Sequence, residues 1–107
     1  MERGVMGVQI DRVRGKEMDQ FLKAVLALKN MDEAYAFFDD LCTINEVQAF
    51  AQRLEVGRML AAKCTYQKIE LETGASTATI SRVKRAMQHG NGMYQLTLDR
   101  VLDPKRK

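Results

Sequence analysis

Residue types that build metal centres and catalytic sites are scarce in this chain of 107 amino acids. It has two cysteines, Cys42 and Cys64, and a single histidine, His89. These are too few and too widely spaced for a zinc site. We expect both cysteines to be reduced, small apolar residues; the alternative, a disulfide, would be unusual in the cytosol. The sequence also has no glycine-rich phosphate-binding loop and no Ser-His-Asp set. We therefore expect a protein that is not an enzyme and that binds no metal or cofactor.

Long apolar runs are absent as well. No stretch approaches the roughly 20 consecutive apolar residues that a membrane-spanning helix needs, and no charged-then-apolar leader is found. These absences predict a cytoplasmic protein without membrane contacts. Its length is that of one domain, which can bury a single core.

The net charge of +3 is unevenly distributed along the chain. Residues 31–60 carry two basic and six acidic side chains, whereas residues 61–107 carry nine and four. The C-terminal half is therefore the electropositive half, which favours a polyanionic partner for that part of the chain.

Apolar residues recur at helical spacing from residue 16 onward, but residues 1–15 show no sustained periodicity. We predict a mobile N-terminal arm over residues 1–15, one helical domain over residues 16–102 and a basic tail over residues 103–107. Because no stretch has a convincing strand pattern, the predicted fold class is all-α with about six helices.

Capping residues and helix breakers predict where the helices begin and end. Thr43 and Glu46 form a capping box that starts the longest helix. The aromatic residues of the second helix, including Tyr35, are expected in the core. The run 90–92 (GNG) is expected to close the helix-turn-helix, because its residues readily take left-handed conformations. The predicted bounds are Lys16 to Asn30 for the first helix, an N-cap at Asp32 for the second, Ile44 to Ala62 for the third and Tyr94 to Leu102 for the last.

Residues 66–87 have the pattern of a helix-turn-helix. Gly74 can take a positive φ and end one helix, and Ser76 is a suitable N-cap for the next. Ile69 and Leu71 supply apolar positions on the first helix, and Ile80, Val83 and Met87 recur at helical spacing on one face of the second.

The outward face of the second helix is small at its start and basic further along, as in a helix that reads the DNA major groove. One residue departs from the usual pattern, because the fifth position of such motifs is commonly small and here it is Glu70. An αα-hairpin with a solvated basic face is the alternative. The residues predicted to bind double-stranded DNA are Gln67, Lys68, Thr77, Ala78, Thr79, Ser81, Arg82, Lys84 and Arg85.

The apolar faces of six short helices add up to more surface than one small monomer can bury. Homodimerisation is therefore expected. A two-fold dimer also presents two recognition helices to DNA half-sites about one helical turn apart.

Three segments together resemble the YerC/YecD group of Trp-repressor-like proteins. They are FFDDLCTINEVQAFAQRLEVGRML, TYQKIELETGASTATISRVKRAM and HGNGMY. The resemblance covers roughly residues 8–102, and its most specific part is GASTATISRVKR. It implies a Trp-repressor-like fold in an intertwined homodimer, with the helix-turn-helix as the DNA-reading part.

The same resemblance implies an effector pocket that departs from the family pattern. The Trp repressor has glycine where this chain has Val83, and a serine where it has Ala86. A valine occupies space that the indole ring of tryptophan needs. The residues that the resemblance assigns to this pocket are Thr43, Arg53, Arg82 and Val83.

Two functions remain open at this point. The first is a sequence-specific DNA-binding transcriptional regulator, a repressor acting as a homodimer without dependence on tryptophan. The second is a helical protein-interaction module whose basic face binds an acidic partner. Whether any small-molecule effector binds is left undecided.

Overall fold

A computed structural model describes residues 9–102, which form six α-helices and a short 3₁₀ turn. No strand occurs in this part of the chain, and the all-α prediction is confirmed. The elements are the 3₁₀ turn Gln9–Val13 and the helices α1 Lys16–Leu26, α2 Met31–Leu41, α3 Ile44–Ala61, α4 Tyr66–Thr73, α5 Thr77–His89 and α6 Met93–Val101.

The 3₁₀ turn lies in the segment predicted to be a mobile arm; the rest of that segment before residue 9, and the basic tail, lie outside the described residues. None of the helices between residues 9 and 102 combines the length and apolar character needed to cross a membrane.

The predicted start of α3 is confirmed by its capping box. The backbone N–H of Glu46 donates to Thr43 Oγ1 at 3.1 Å, and the N–H of Thr43 donates to Glu46 Oε1 at 2.8 Å. Two amides at the helix start, which have no partner within the helix, are thereby satisfied. Because these contacts span only three residues, the spacing in the sequence is enough to predict them.

The predicted boundary between the first two helices is wrong. α1 ends at Leu26, not near Asn30, and Asn30 is the N-cap of α2 in place of Asp32. Asn30 Oδ1 accepts from the N–H of Glu33 at 2.8 Å, and Glu33 Oε1 accepts from the N–H of Lys29 at 2.9 Å. This reciprocal cap starts α2 two residues earlier, and the preceding residues form the turn.

The chain folds as two compact units. The first extends to Val47 and the second begins at Gln48. In the first unit, neither α1 nor α2 contains a buried residue. The rings of Phe21 and Phe37 stack with centroids 6.4 Å apart, but Tyr35 is 73% exposed. The placement of Tyr35 in the core is therefore wrong within a single chain, because the apolar side of α2 has little chain to cover it.

The second unit contains the principal core. Its buried apolar residues come from the second half of α3, from α4, from the turn and from α5. Fully burying one such aliphatic side chain contributes about 1.5–3 kcal/mol. The core residues are Val56, Met59, Ile69, Ala75, Ile80 and Val83.

A close approach connects α6 to this core. A Cβ at Gly57 would lie 2.7 Å from Cδ1 of Tyr94, so the absence of a side chain at Gly57 lets the Tyr94 ring of α6 lie against α3. α6 begins at Met93, one residue earlier than predicted. Of the run 90–92, Gly92 is left-handed with φ 78°, whereas Gly90 has φ −91°.

Candidate nucleic-acid interface

The turn between α4 and α5 is built by backbone and side-chain hydrogen bonds within a few residues. α4 ends at Gly74, whose φ of 74° is left-handed and whose N–H donates to the carbonyl of Glu70 at 2.9 Å. Ser76 caps α5, because its hydroxyl oxygen accepts from the N–H of Thr79 at 3.1 Å. Both assignments made from the sequence are confirmed. The glycine conformation lets the second helix leave at a new angle.

Thr73 ties this turn together from the inside. Its hydroxyl donates to the carbonyl of Ile69 at 2.7 Å and accepts from the N–H of Ala75 at 3.0 Å. The carbonyl of Thr73 accepts from Nε2 of Gln52 on α3 at 3.0 Å. The turn is therefore attached to α3 as well as to its own two helices.

α5 has one buried face and one exposed face, as the helical periodicity predicts. Ile80 and Val83 are fully or almost fully buried in the core. Of the nine residues predicted to bind DNA, eight are exposed and Thr79 is half-buried. Thr79 Oγ1 accepts from the hydroxyl of Ser76 at 3.1 Å, so its side chain belongs to the helix cap.

Basic side chains dominate the exposed face of α5. Arg82, Lys84 and Arg85 are exposed there, and α5 contains no acidic residue. The ammonium of Lys84 lies 5.7 Å from the centre of the Tyr66 ring, a cation–π contact that orients this side chain. These charges suit an anionic partner.

Arg58 on α3 behaves differently from the arginines of α5. Its guanidinium donates to both carboxylate oxygens of Glu55, at 2.9 and 2.6 Å. The hydrogen bonds to Arg58 lower the pKa of Glu55 below its ordinary value, and those to Glu55 raise the pKa of Arg58. Arg58 is engaged within its own helix.

Leu71 lies on the exposed side of α4. Leu71, an apolar position in the sequence pattern of α4, is 85% exposed. Ile69 is buried, and at 100° per residue a position two further along lies on nearly the opposite side of the helix.

Glu70 is half-buried, and its carboxylate accepts from the hydroxyl of Thr77 on α5. No sequence signal announces this contact, which depends on the angle between the helices.

Known proteins of one family match this chain over most of its length. The family model described as Trp repressor protein matches residues 16–102. The chain is also 64% identical over 94 residues to the uncharacterized protein YerC of Bacillus subtilis (strain 168), covering 88% of this chain and 90% of YerC. The chain belongs to the Trp repressor family.

Solved structures agree with membership of the Trp repressor family. A crystal structure of a candidate Trp repressor from Staphylococcus aureus matches with a TM-score of 0.85 and 53% identity, over 88% of this chain and 94% of that one. A TrpR-like protein from Eubacterium eligens ATCC 27750 matches with a TM-score of 0.82 and 45% identity, over 87% and 98% of the two chains. The predicted Trp-repressor-like fold is confirmed.

The residues that the family resemblance assigns to an effector pocket have other contacts in this structure. Thr43, in the first unit, caps α3. In the second unit, the Arg53 guanidinium lies 5.8 Å from the centre of the Phe50 ring, Arg82 is exposed, and Val83 is 1% exposed within the core.

Tyr94 gives a further indication of where Arg53 lies. Burial raises the pKa of the Tyr94 phenol above its ordinary value, and the positive charge of Arg53 opposes that rise. Arg53 therefore carries its charge among aromatic side chains of the second unit.

A cleft of about 570 Å³ lies elsewhere in this member of the Trp repressor family. The end of α3, both helices of the helix-turn-helix and the start of α6 contribute to it. None of the four residues assigned to the effector pocket lines it. The lining residues are Leu60, Ala61, Lys63, Cys64, Thr65, Tyr66, Lys84, Met87, Gln88 and Gln95.

Proposed function

We propose that this chain is a sequence-specific regulator of transcription that binds double-stranded DNA through α4 and α5. The observation that carries the proposal is the division of α5 into two faces. Its apolar residues Ile80 and Val83 are buried, while its opposite face exposes small residues first and basic residues later. Membership of the Trp repressor family supports the same function. Within that class we favour a repressor acting in the bacterial cytoplasm.

The roles along α5 follow from position. Ala78 and Ser81 lie on the exposed face near the start of the helix, where side chains reach base edges in the major groove. Thr77 and Thr79 flank them. The remaining candidates contact phosphates, which hold the protein in register on the duplex without specifying sequence. These are Gln67, Lys68, Arg82, Lys84 and Arg85.

The regulator is proposed to act as an intertwined homodimer. α1 and α2 have no buried residue within the chain, and large apolar side chains are exposed on them and on α3. A monomer with that much exposed apolar surface would be prone to association. A second copy provides the cover and places two recognition helices on one DNA. The exposed apolar residues that a second copy would cover include Leu22, Leu26, Met31, Leu41 and Ile44 in the first unit and Phe50 and Leu54 in the second.

DNA binding is proposed not to require tryptophan. Val83 packs in the core with Ile80, and its side chain occupies the position that the Trp repressor leaves as glycine. The helix-turn-helix is therefore held in place by packing without a ligand. Calorimetry with L-tryptophan, and DNA titrations with and without it, test this. Saturable micromolar heat, or a tenfold gain in DNA affinity (about 1.4 kcal/mol), would contradict the proposal.

The principal experiment selects bound sites from random duplex DNA and then measures affinity for the selected site at several salt concentrations. We expect the logarithm of the affinity to fall linearly with the logarithm of salt concentration, because phosphate contacts release counterions. A protein that binds no duplex, but captures an acidic protein, would instead be an interaction module.

Arg85→Ala tests the phosphate role. The variant should bind all duplexes more weakly and have a salt slope shallower by about one unit, because one phosphate contact is lost. Arg100→Ala is the control, since it removes the same charge from an exposed site on α6. A changed sequence preference with an unchanged slope in Arg85→Ala would mean that Arg85 reads bases.

A further inference from the structure

Glu70 places an acidic group beside Thr77, one of the residues proposed to bind DNA. It lies on α4, one turn before Gly74, and is half-buried. The hydroxyl of Thr77, the first residue of α5, donates a hydrogen bond to Glu70 Oε2. A side-chain contact therefore joins the two helices of the helix-turn-helix at the start of the recognition helix.

The side chains of Thr77 and Glu70 can accept further hydrogen bonds but have none left to donate. A threonine hydroxyl has one hydrogen to donate, and Thr77 gives it to Glu70. The remaining lone pairs of Thr77, and those of the Glu70 carboxylate, accept hydrogen bonds only. The first residues of a recognition helix are the ones that approach base edges. The two side chains at this position therefore present acceptors without donors.

A carboxylate is unfavourable for general DNA affinity, since it repels phosphates. It is favourable only where DNA offers a hydrogen-bond donor. In the major groove, cytosine offers its N4 amino group and adenine its N6 amino group, whereas guanine O6 and N7 and thymine O4 are acceptors. A glutamate that reached a base edge would therefore discriminate between bases, at some cost in affinity for DNA of any sequence.

We propose that Glu70, oriented by Thr77, is a specificity-determining residue that accepts a hydrogen bond from the exocyclic amino group of a cytosine in each half-site. The inference rests on the proposed DNA-binding function and adds a base preference to it. Guanine and thymine at the same position are disfavoured, because their acceptor atoms meet the carboxylate. Adenine is the second choice, since its N6 donor lies beside the N7 acceptor.

Glu70→Gln is the direct test. Glutamine keeps the size of the side chain and an oxygen that can accept from Thr77, but removes the charge and adds a donor. We expect wild-type protein to prefer cytosine at one position of each half-site by tenfold or more. In the variant, this preference should fall below about threefold, while affinity for unrelated duplexes rises (tenfold corresponds to about 1.4 kcal/mol).

Two further variants separate charge from base reading. Thr77→Val removes the hydroxyl that orients Glu70, so it should weaken the same base preference without raising affinity for unrelated DNA. Glu72→Gln is the matched control, because it removes an equal charge from an exposed residue of the same helix. Besides the hydrogen bonds to Glu55, the negative charge of Glu72 raises the pKa of Arg58 on α3. Glu72→Gln should leave every base preference unchanged.

The outcomes distinguish this inference from the proposed function. If wild-type protein selects a sequence and both Glu70→Gln and Thr77→Val keep all its base preferences, Glu70 merely ties two helices together and the inference is overturned. If wild-type protein shows no sequence preference at all, the proposed function fails as well. Thermal melts of each variant establish that it is folded, and Glu70→Ala, which removes the carboxylate altogether, decides the matter if Glu70→Gln is unfolded.

Discussion

At the residue scale, one residue has a backbone conformation that is unfavourable for any amino acid with a Cβ atom. Lys63 has φ 68°, and it is the only non-glycine residue with positive φ between residues 9 and 102. It ends α3, where its N–H donates to the carbonyl of Leu60 at 3.0 Å and the next N–H, of Cys64, donates to the carbonyl of Met59 at 3.0 Å. These two bonds form a Schellman motif, in which glycine is the usual residue at the left-handed position.

Lys63→Gly should therefore raise the free energy of unfolding by roughly 0.5–1 kcal/mol. Relief of the left-handed strain exceeds the extra entropy that glycine gives the unfolded chain. Urea denaturation at one fixed protein concentration measures the change. Lys63→Ala retains a Cβ and should show no such gain. A loss of stability in the glycine variant would indicate that the lysine side chain makes a stabilising contact.

At the element scale, the N-cap of α3 is a residue to which the family resemblance assigns a different role. Thr43 was assigned to an effector pocket by resemblance, but its hydroxyl caps α3 by accepting from the N–H of Glu46. The cap alone is a sufficient reason for a threonine here. Ile44, the first residue of the helix, is exposed within the chain. Because packing contributes little to the stability of this helix end, the cap hydrogen bonds contribute more of it.

Thr43→Ala should lower the free energy of unfolding by about 1 kcal/mol, as loss of an N-cap hydroxyl generally does. Thr43→Ser keeps the hydroxyl and should lie within about 0.5 kcal/mol of wild type. Both are measured by urea denaturation, and tryptophan should alter neither result. Stabilisation of wild type by tryptophan that disappears in Thr43→Ala would support an effector role for this residue.

At the scale of the whole molecule, the exposed apolar side chains are the feature on which the proposed homodimer rests. The second unit has a buried core, but α1 and α2 bury no residue within the chain. Small domains have little apolar surface to spare for stability. A second copy of the chain, packing on these helices, would convert that exposed surface into core.

Sedimentation at micromolar concentration should therefore give the mass of a dimer. Leu54 is 40% exposed in the single chain, so a monomer would tolerate aspartate there. In the dimer the same aspartate would be an unpaired buried charge, at a cost of several kcal/mol. We expect Leu54→Asp to prevent assembly or folding.

Leu71→Asp is the control for that experiment. Leu71 lies on the helix-turn-helix and is 85% exposed, outside the proposed dimer surface, so the variant should sediment as a dimer. A folded, stable wild-type monomer, or a Leu54→Asp variant that remains dimeric, would rule out the intertwined arrangement.

The sequence by itself determined features that depend on neighbours three or four residues apart. The capping box at Thr43, the left-handed Gly74, the Ser76 cap and the buried Ile80 with Val83 all belong to this class. Each depends on hydrogen bonds or on a helical repeat within one or two turns, and these are set by residue type and spacing.

Only the tertiary structure decided the features that depend on how helices cross. The contact of Thr77 with Glu70 and the bond from Gln52 to Thr73 both follow from the angles between α3, α4 and α5. Such angles result from many side chains packing at once, and no spacing in a single segment encodes them. The turn glycine permits the new direction of α5, and the shared core selects it.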